Sequence, residues 1–128
     1  MSADGVIAIV DDDESVRQAL RRLINSVGFK VETFASAEEF LSSARAPGPD
    51  CLILDVRLPG MSGLELQSRL VAANYQLPII FISAYDDGQT RLRALAAGAI
   101  ELLPKPFSAE ALFEAINSAL TLCQSLRC

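Results

Sequence analysis

CLILDVRLPGMSGLEL, residues 51–66, is the stretch that decides how this chain folds. Residues 51–54 are apolar with no helical period, and they are bounded by Pro49-Asp50 before and Pro59-Gly60 after. A run of this kind reads as a strand buried on both faces, as in a parallel sheet covered on both sides. Asp55 ends the run with a single carboxylate. Leu58-Pro59-Gly60 then imposes a turn, and Ser62 with Glu65 three residues on forms a capping box that opens a helix. A charged residue straight after a buried strand lies where open α/β sheets bind ligands. Taken alone, Asp55 reads equally well as a solvated strand end.

Other stretches repeat the pattern. Val6–Val10 (VIAIV) is a second buried strand and runs into Asp11-Asp12-Asp13-Glu14. Residues 78–82 (PIIFI) are a third and end in Ser83-Ala84-Tyr85, and residues 100–103 are a fourth, ending in Pro104-Lys105-Pro106. Residues 29–34 alternate loosely and predict a more peripheral strand. Between the strands the spacing predicts helices. The first spans about 15–27, with Val16, Leu20, Leu23, Ile24 and Val27 in period and Gly28 placed to end it. Ser36 with Glu39 is a further capping box, opening a helix with Phe40, Leu41 and Ala44 inward that Pro47-Gly48-Pro49 stops. The third helix is expected to anchor through Leu64 and Leu70. A polar loop, 85–88, leads to a fourth helix with Leu92, Leu95 and Ala96 facing the sheet and Gly98 at its end. Ser108 caps the last, with Leu112, Phe113, Ile116, Ala119, Leu120 and Cys123 on its inner side.

Strand and helix therefore alternate five times with short connections, which calls for a parallel sheet covered on both faces. The expected class is α/β, a flavodoxin-like three-layer sandwich of order 2-1-3-4-5, with its site at the switch between the first and third strands. Asp11, Asp12 and Asp55 meet there. One domain accounts for residues 1–128, long enough to bury roughly two-thirds of the unfolded surface. Residues 121–128 read as the start of a linker, on little signal.

Composition narrows the function. The apolar fraction of 51% marks an ordered globular chain, while its longest apolar runs fall short of a membrane span. The start MSADG lacks the basic and apolar parts of a signal peptide, so the cytoplasm is the expected compartment and no membrane is involved. Three cysteines cannot all pair with one another. With Cys51 in a core strand and Cys123 and Cys128 in or beyond the last helix, reduced structural thiols are expected, and no metal-ligand spacing is present. A net charge of −5 argues against this chain holding nucleic acid by itself. There is no histidine, which excludes His-based catalysis and His metal ligation.

Carboxylates gathered at one sheet edge repel. At ~5 Å and an effective dielectric near 20, each like-charged pair costs on the order of 3 kcal/mol. A hard divalent cation offsets this, or one carboxyl group stays protonated. Mg²⁺ takes oxygen ligands, uses one or two carboxylates, and keeps waters that a phosphate oxygen can replace.

A nucleophile-capable carboxylate, an acidic pair, a hydroxyl and an ammonium at one edge resemble the receiver domain of two-component response regulators. The likeness covers nearly the whole chain. Residues 55–66 (DVRLPGMSGLEL) and the Lys105-Pro106-Phe107 segment look most like the FixJ-like branch, whose receivers normally precede a helix-turn-helix DNA-binding domain that this sequence does not include. The resemblance implies that Asp55 accepts a phosphoryl group from a sensor histidine kinase. It also implies that Asp11, Asp12, Asp55 and the backbone carbonyl of Arg57 hold Mg²⁺, with Asp12 the more direct ligand and Asp11 partly through water. Lys105 and Ser83 then take phosphoryl oxygens, and the Lys105–Pro106 bond is expected to be cis. Such a domain is a phosphoacceptor that assists its own phosphorylation and dephosphorylation rather than an enzyme. Transcription through a C-terminal effector domain is its expected output.

One position departs from the family pattern, since Leu102 stands where receivers usually carry Tyr or Phe, which puts the usual relay of the signal in doubt. Arg57 and Tyr85 are expected to rim the phosphoryl site and slow hydrolysis. Phosphorylation is expected to strengthen homodimerisation through the fourth helix, the last strand and the last helix, where Arg91, Arg93 and Glu101 offer charges. Three other classes compete. A haloacid-dehalogenase-like phosphatase would use Asp11-x-Asp13, but the chain is short for it and Arg57 stands where Asp55 would need an acid. A flavodoxin-like cofactor binder would have its flavin phosphate repelled by the acids. A receiver working by contact alone would not need the acids and lysine.

Overall fold

The structure, a computed structural model, describes residues 5–43, 48–84 and 88–127, with side-chain surroundings given as far as residue 121. Among the described residues five strands and five helices alternate: β1 (Val6–Val10), α1 (Glu14–Asn25), β2 (Lys30–Phe34), α2 (Ala37–Ser42), β3 (Cys51–Asp55), α3 (Gly63–Ala72), β4 (Ile79–Ser83), α4 (Gly88–Ala96), β5 (Glu101–Pro104) and α5 (Ala109–Arg127). The strands form one parallel sheet in the order β2-β1-β3-β4-β5, as expected.

Strand alternation divides the core into two layers. Ala8, Val10, Leu52, Leu54, Phe81 and Leu102 point to the side that meets α2, α3 and α4 through Phe40, Leu66, Leu70 and Ala94. Ile7, Ile9, Cys51, Ile53, Ile80 and Ile82 point to the other, where Leu20 and Ile24 of α1 and Leu112 and Ile116 of α5 cover them. Every residue of β3 and β4 is buried, whereas β2, at one edge, is only partly so. Register fixes the site edge, since Val10 pairs with Leu54, Asp55 with Ile82 and Ser83 with Pro104. The residues that close β1, β3, β4 and β5 therefore emerge side by side.

Local signals set the helix starts. Asp13 caps α1 by accepting the Ser15 N–H at 2.9 Å. Ser62 and Glu65 make the complete capping box on α3. At α2 only half of the box forms: Ser36 accepts the Glu39 N–H, but the Glu39 carboxylate returns to the Ala35 N–H. Gly63 touches the sheet so closely that a Cβ there would run into the Asp55 backbone oxygen.

Several expectations about helix faces need correction. The first helix stops at Asn25, so Val27 is exposed; Gly28, with φ +100°, turns the chain into β2. On α3 the buried anchors are Leu66 and Leu70, with Gln67 between them, and Leu64 is only half-buried. Helix α4 departs most. Leu92 is 69% and Leu95 38% exposed, Ala96 is exposed too, and only Ala94 is buried. Helix α5 continues through Arg127. Ala44 and Pro47, Cys128, and the Cys123 side chain lie outside what is described. No helix is long and apolar enough to cross a membrane among the described residues.

Candidate functional site

Asp11 follows β1 directly and is fully buried. Its Oδ1 accepts the Asp13 N–H at 2.8 Å, and its backbone carbonyl accepts Nη1 of Arg17, from α1, at 2.7 Å. Asp12, the next residue, is exposed. Asp55, the last residue of β3, is 6% exposed, and its Oδ1 accepts the Arg57 N–H at 3.0 Å. Lys105 joins the two strand ends. Its Nζ lies 3.1 Å from Asp11 Oδ2 and 3.4 Å from Asp55 Oδ2, so one ammonium bridges two buried carboxylates. The Lys105 N–H donates to the Ser83 carbonyl at 2.7 Å, the Lys105–Pro106 bond is cis, and Ser83 is buried at the end of β4.

The electrostatics follow from this crowding. Burial pushes the Asp55 carboxyl up from 3.8 to about 6; the Arg57 N–H opposes the rise, the charge on Asp11 adds to it, and Lys105 opposes it. For Lys105, burial works against the ammonium, but the carboxylates of Asp55 and Asp11 outweigh it and raise its pKa above the usual lysine value. Repulsion among the acids is thus met here by a cation from the chain itself.

One oxygen each from Asp11, Asp12 and Asp55 lie within 4.8 Å of one another. Neighbouring ligands in a Mg²⁺ octahedron stand about 3 Å apart and opposed ones about 4 Å, so the three oxygens need draw together by no more than about 2 Å. Three hard oxygens on one sheet edge, with an ammonium already drawn between two of them, fit Mg²⁺.

The other expected positions divide. The Arg57 side chain is exposed. Leu102 is 1% exposed and sits within the α2/α3/α4 layer. Arg91 and Glu101, expected to offer charges to a second subunit, pair with each other at 3.5 Å. Tyr85 lies outside the described residues. Sequence reasoning missed two side chains that hold the site's loops. Arg17 clamps the Asp11 carbonyl, and Glu38 of α2 accepts the Met61 N–H at 2.9 Å, steadying the turn after β3. That hydrogen bond is the main reason the Glu38 carboxyl titrates below its usual value. Both act on backbone groups distant in sequence or around a turn, and no motif spacing announces them.

The family described as the response regulator receiver domain matches residues 7–117. The chain belongs to the response regulator receiver family. It is 47% identical over 119 residues to the response regulator protein TmoT of Ectopseudomonas mendocina, covering 93% of this chain and 54% of that protein. It is 35% identical over 120 residues to the transcriptional regulatory protein FixJ of Bradyrhizobium diazoefficiens, covering 94% of this chain and 58% of FixJ, which supports the FixJ-like branch. The solved structure of the response regulator StyR shares 50% identity at a TM-score of 0.89, covering 95% of this chain and 62% of that one. This receiver domain thus spans about half the length of the curated relatives it matches.

Proposed function

We propose that this receiver domain accepts a phosphoryl group on Asp55 from a phosphohistidine of a sensor histidine kinase, with Mg²⁺ at Asp11, Asp12, Asp55 and the Arg57 backbone carbonyl. The observation that carries the reading is the Lys105 ammonium shared between Asp11 and Asp55. An Asp55 oxygen attacks phosphorus, a P–O bond forms, the P–N bond to the donor imidazole breaks, and the imidazole takes up a proton. With its carboxyl titrating at about 6, Asp55 is the ionised nucleophile at neutral pH. Mg²⁺ would neutralise charge on the transferring group. Lys105 takes a second phosphoryl oxygen and the Ser83 hydroxyl a third, in the preorganised manner that lowers barriers to such transfer.

The dehalogenase-like alternative is disfavoured because Asp13 caps α1 rather than facing the acid cluster. In the proposed role the domain works in the cytoplasm and regulates transcription through an effector domain, with 121–127 helical where a linker would begin. FixJ's description as a transcriptional regulatory protein supports that output. The decisive experiment treats wild type and Asp55→Asn with acetyl phosphate and Mg²⁺ and weighs both. A gain of one phosphate by the wild type only is expected, and an equal gain by Asp55→Asn overturns Asp55 as acceptor.

A further inference from the structure

Helix α4 is attached to this domain in an unusual way. A helix lying on a sheet ordinarily buries a stripe of large apolar side chains. Helix α4 buries only Ala94, and turns Leu92 and Leu95 to solvent. Polar bonds take the place of the missing seam. Arg91 sends Nη1 and Nη2 to the Leu102 carbonyl at 3.3 and 3.1 Å, while Nη1 also meets Glu101 Oε1 at 3.5 Å. The same Glu101 oxygen accepts the Leu102 N–H at 3.0 Å. On the other flank, the buried Gln67 of α3 donates Nε2 to the Ala94 carbonyl at 3.0 Å.

We propose that Arg91 is a positioning residue, a clasp that holds α4 against β5 through the main chain of Leu102. Leu102 is buried and aliphatic, and it lies three residues before Lys105 on the same segment. The clasp therefore ties α4 to the segment that carries the site's ammonium, at the position where the side chain has no ring or hydroxyl to do so. A planar guanidinium suits the task because its fork serves two acceptors at once, whereas a lysine can satisfy only one well. The Arg91–Glu101 pair alone is half-exposed and contributes little. Its use is to aim the guanidinium at the carbonyl. While the clasp is closed, Arg91 and Glu101 are also engaged within their own chain, so any partner that recruits them must first open it. The consequence for output rests on the phosphoacceptor reading, but the clasp itself does not.

Amide hydrogen exchange on the metal-free domain tests it, comparing wild type with Arg91→Ala, Arg91→Lys, Glu101→Gln and Leu92→Ala. Exchange across residues 88–98 is expected to quicken about tenfold in Arg91→Ala and by smaller factors in Arg91→Lys and Glu101→Gln. Leu92→Ala should match wild type, and α1 and α5 should be unchanged throughout. The proposal is overturned if Arg91→Ala stays within twofold of wild type at 88–98. It is equally overturned if α1 and α5 quicken by the same factor, which marks general loss of stability, or if Leu92→Ala matches Arg91→Ala, which marks an apolar seam. Phosphate gain on Asp55, weighed on separate samples of the same variants given acetyl phosphate and Mg²⁺, speaks only to the phosphoacceptor reading.

Discussion

Asp55 is held between opposing demands, and its stability consequence has a definite sign. Its carboxyl titrates at about 6 in the fold against 3.8 for the free group. Below about pH 4 both states carry the proton and the group contributes nothing. As pH rises through that interval the unfolded chain releases its proton while the native state keeps it, so native stability falls, with the full penalty above about 6. The shift corresponds to nearly 3 kcal/mol, which solvent at the mouth of the site reduces to about 1–2 kcal/mol. Asp55→Asn should therefore be more stable than wild type by that amount at pH 7.5 with EDTA, the advantage shrinking towards pH 4.5. Urea unfolding across this range checks it, and parallel profiles would refute it. Arg17 offers a test in which two roles predict opposite signs. If its guanidinium matters only as charge, Arg17→Met should tighten Mg²⁺ by removing a repelling cation. Because it clamps the Asp11 carbonyl, we expect Arg17→Met to weaken Mg²⁺ binding about three- to tenfold by calorimetry, roughly the net worth of one ordinary hydrogen bond, with Arg17→Lys in between.

Among the elements, α3 and α4 stand at opposite extremes. The start of α3 is pressed onto the end of β3: the Gly63 N–H bonds the Val56 carbonyl at 3.0 Å, and no Cβ fits against the Asp55 backbone oxygen. Gly63→Ala should cost about 2–3 kcal/mol in urea unfolding, since backbone cannot yield as a side chain would, and it should slow phosphorylation by displacing Asp55. A loss under about 0.5 kcal/mol would show that the turn adapts. Helix α4 has no such constraint. Leu92 is 69% exposed, so Leu92→Ser is expected to leave stability within about 0.5 kcal/mol, the range of ordinary surface changes.

For the whole molecule the open question is where a signal leaves. Exposed Leu92, Leu95 and Arg93 lie on α4 beside β5, the region where the resemblance to receivers leads us to expect self-association. The domain is expected to be monomeric in buffer and to associate in the micromolar range with beryllofluoride and Mg²⁺. Sedimentation velocity decides, and a monomer under both conditions overturns the expected dimer.

What the sequence by itself determined is the order of elements, the parallel sheet and the edge at which Asp11, Asp55, Ser83 and Lys105 emerge. Short buried runs such as 51–54 admit one sheet geometry, and capping residues such as Asp13 and Ser62 act within a turn of their own helix. The same locality explains why the Ser62–Glu65 box was legible in full. It also explains why the Ser36–Glu39 box was only half so, its return bond being free to choose between adjacent N–H groups. The faces of α4 and the clamps of Arg17, Glu38, Arg91 and Gln67 were decided only in three dimensions. Leu92 and Leu95 have helical spacing, but burial depends on whether a neighbouring surface is there to cover them, and periodicity carries no information about that. A long polar side chain reaching a backbone carbonyl depends on where two distant segments come to rest. Only the tertiary structure sets that, and there it turned an apolar stripe outward and put an arginine where packing was expected.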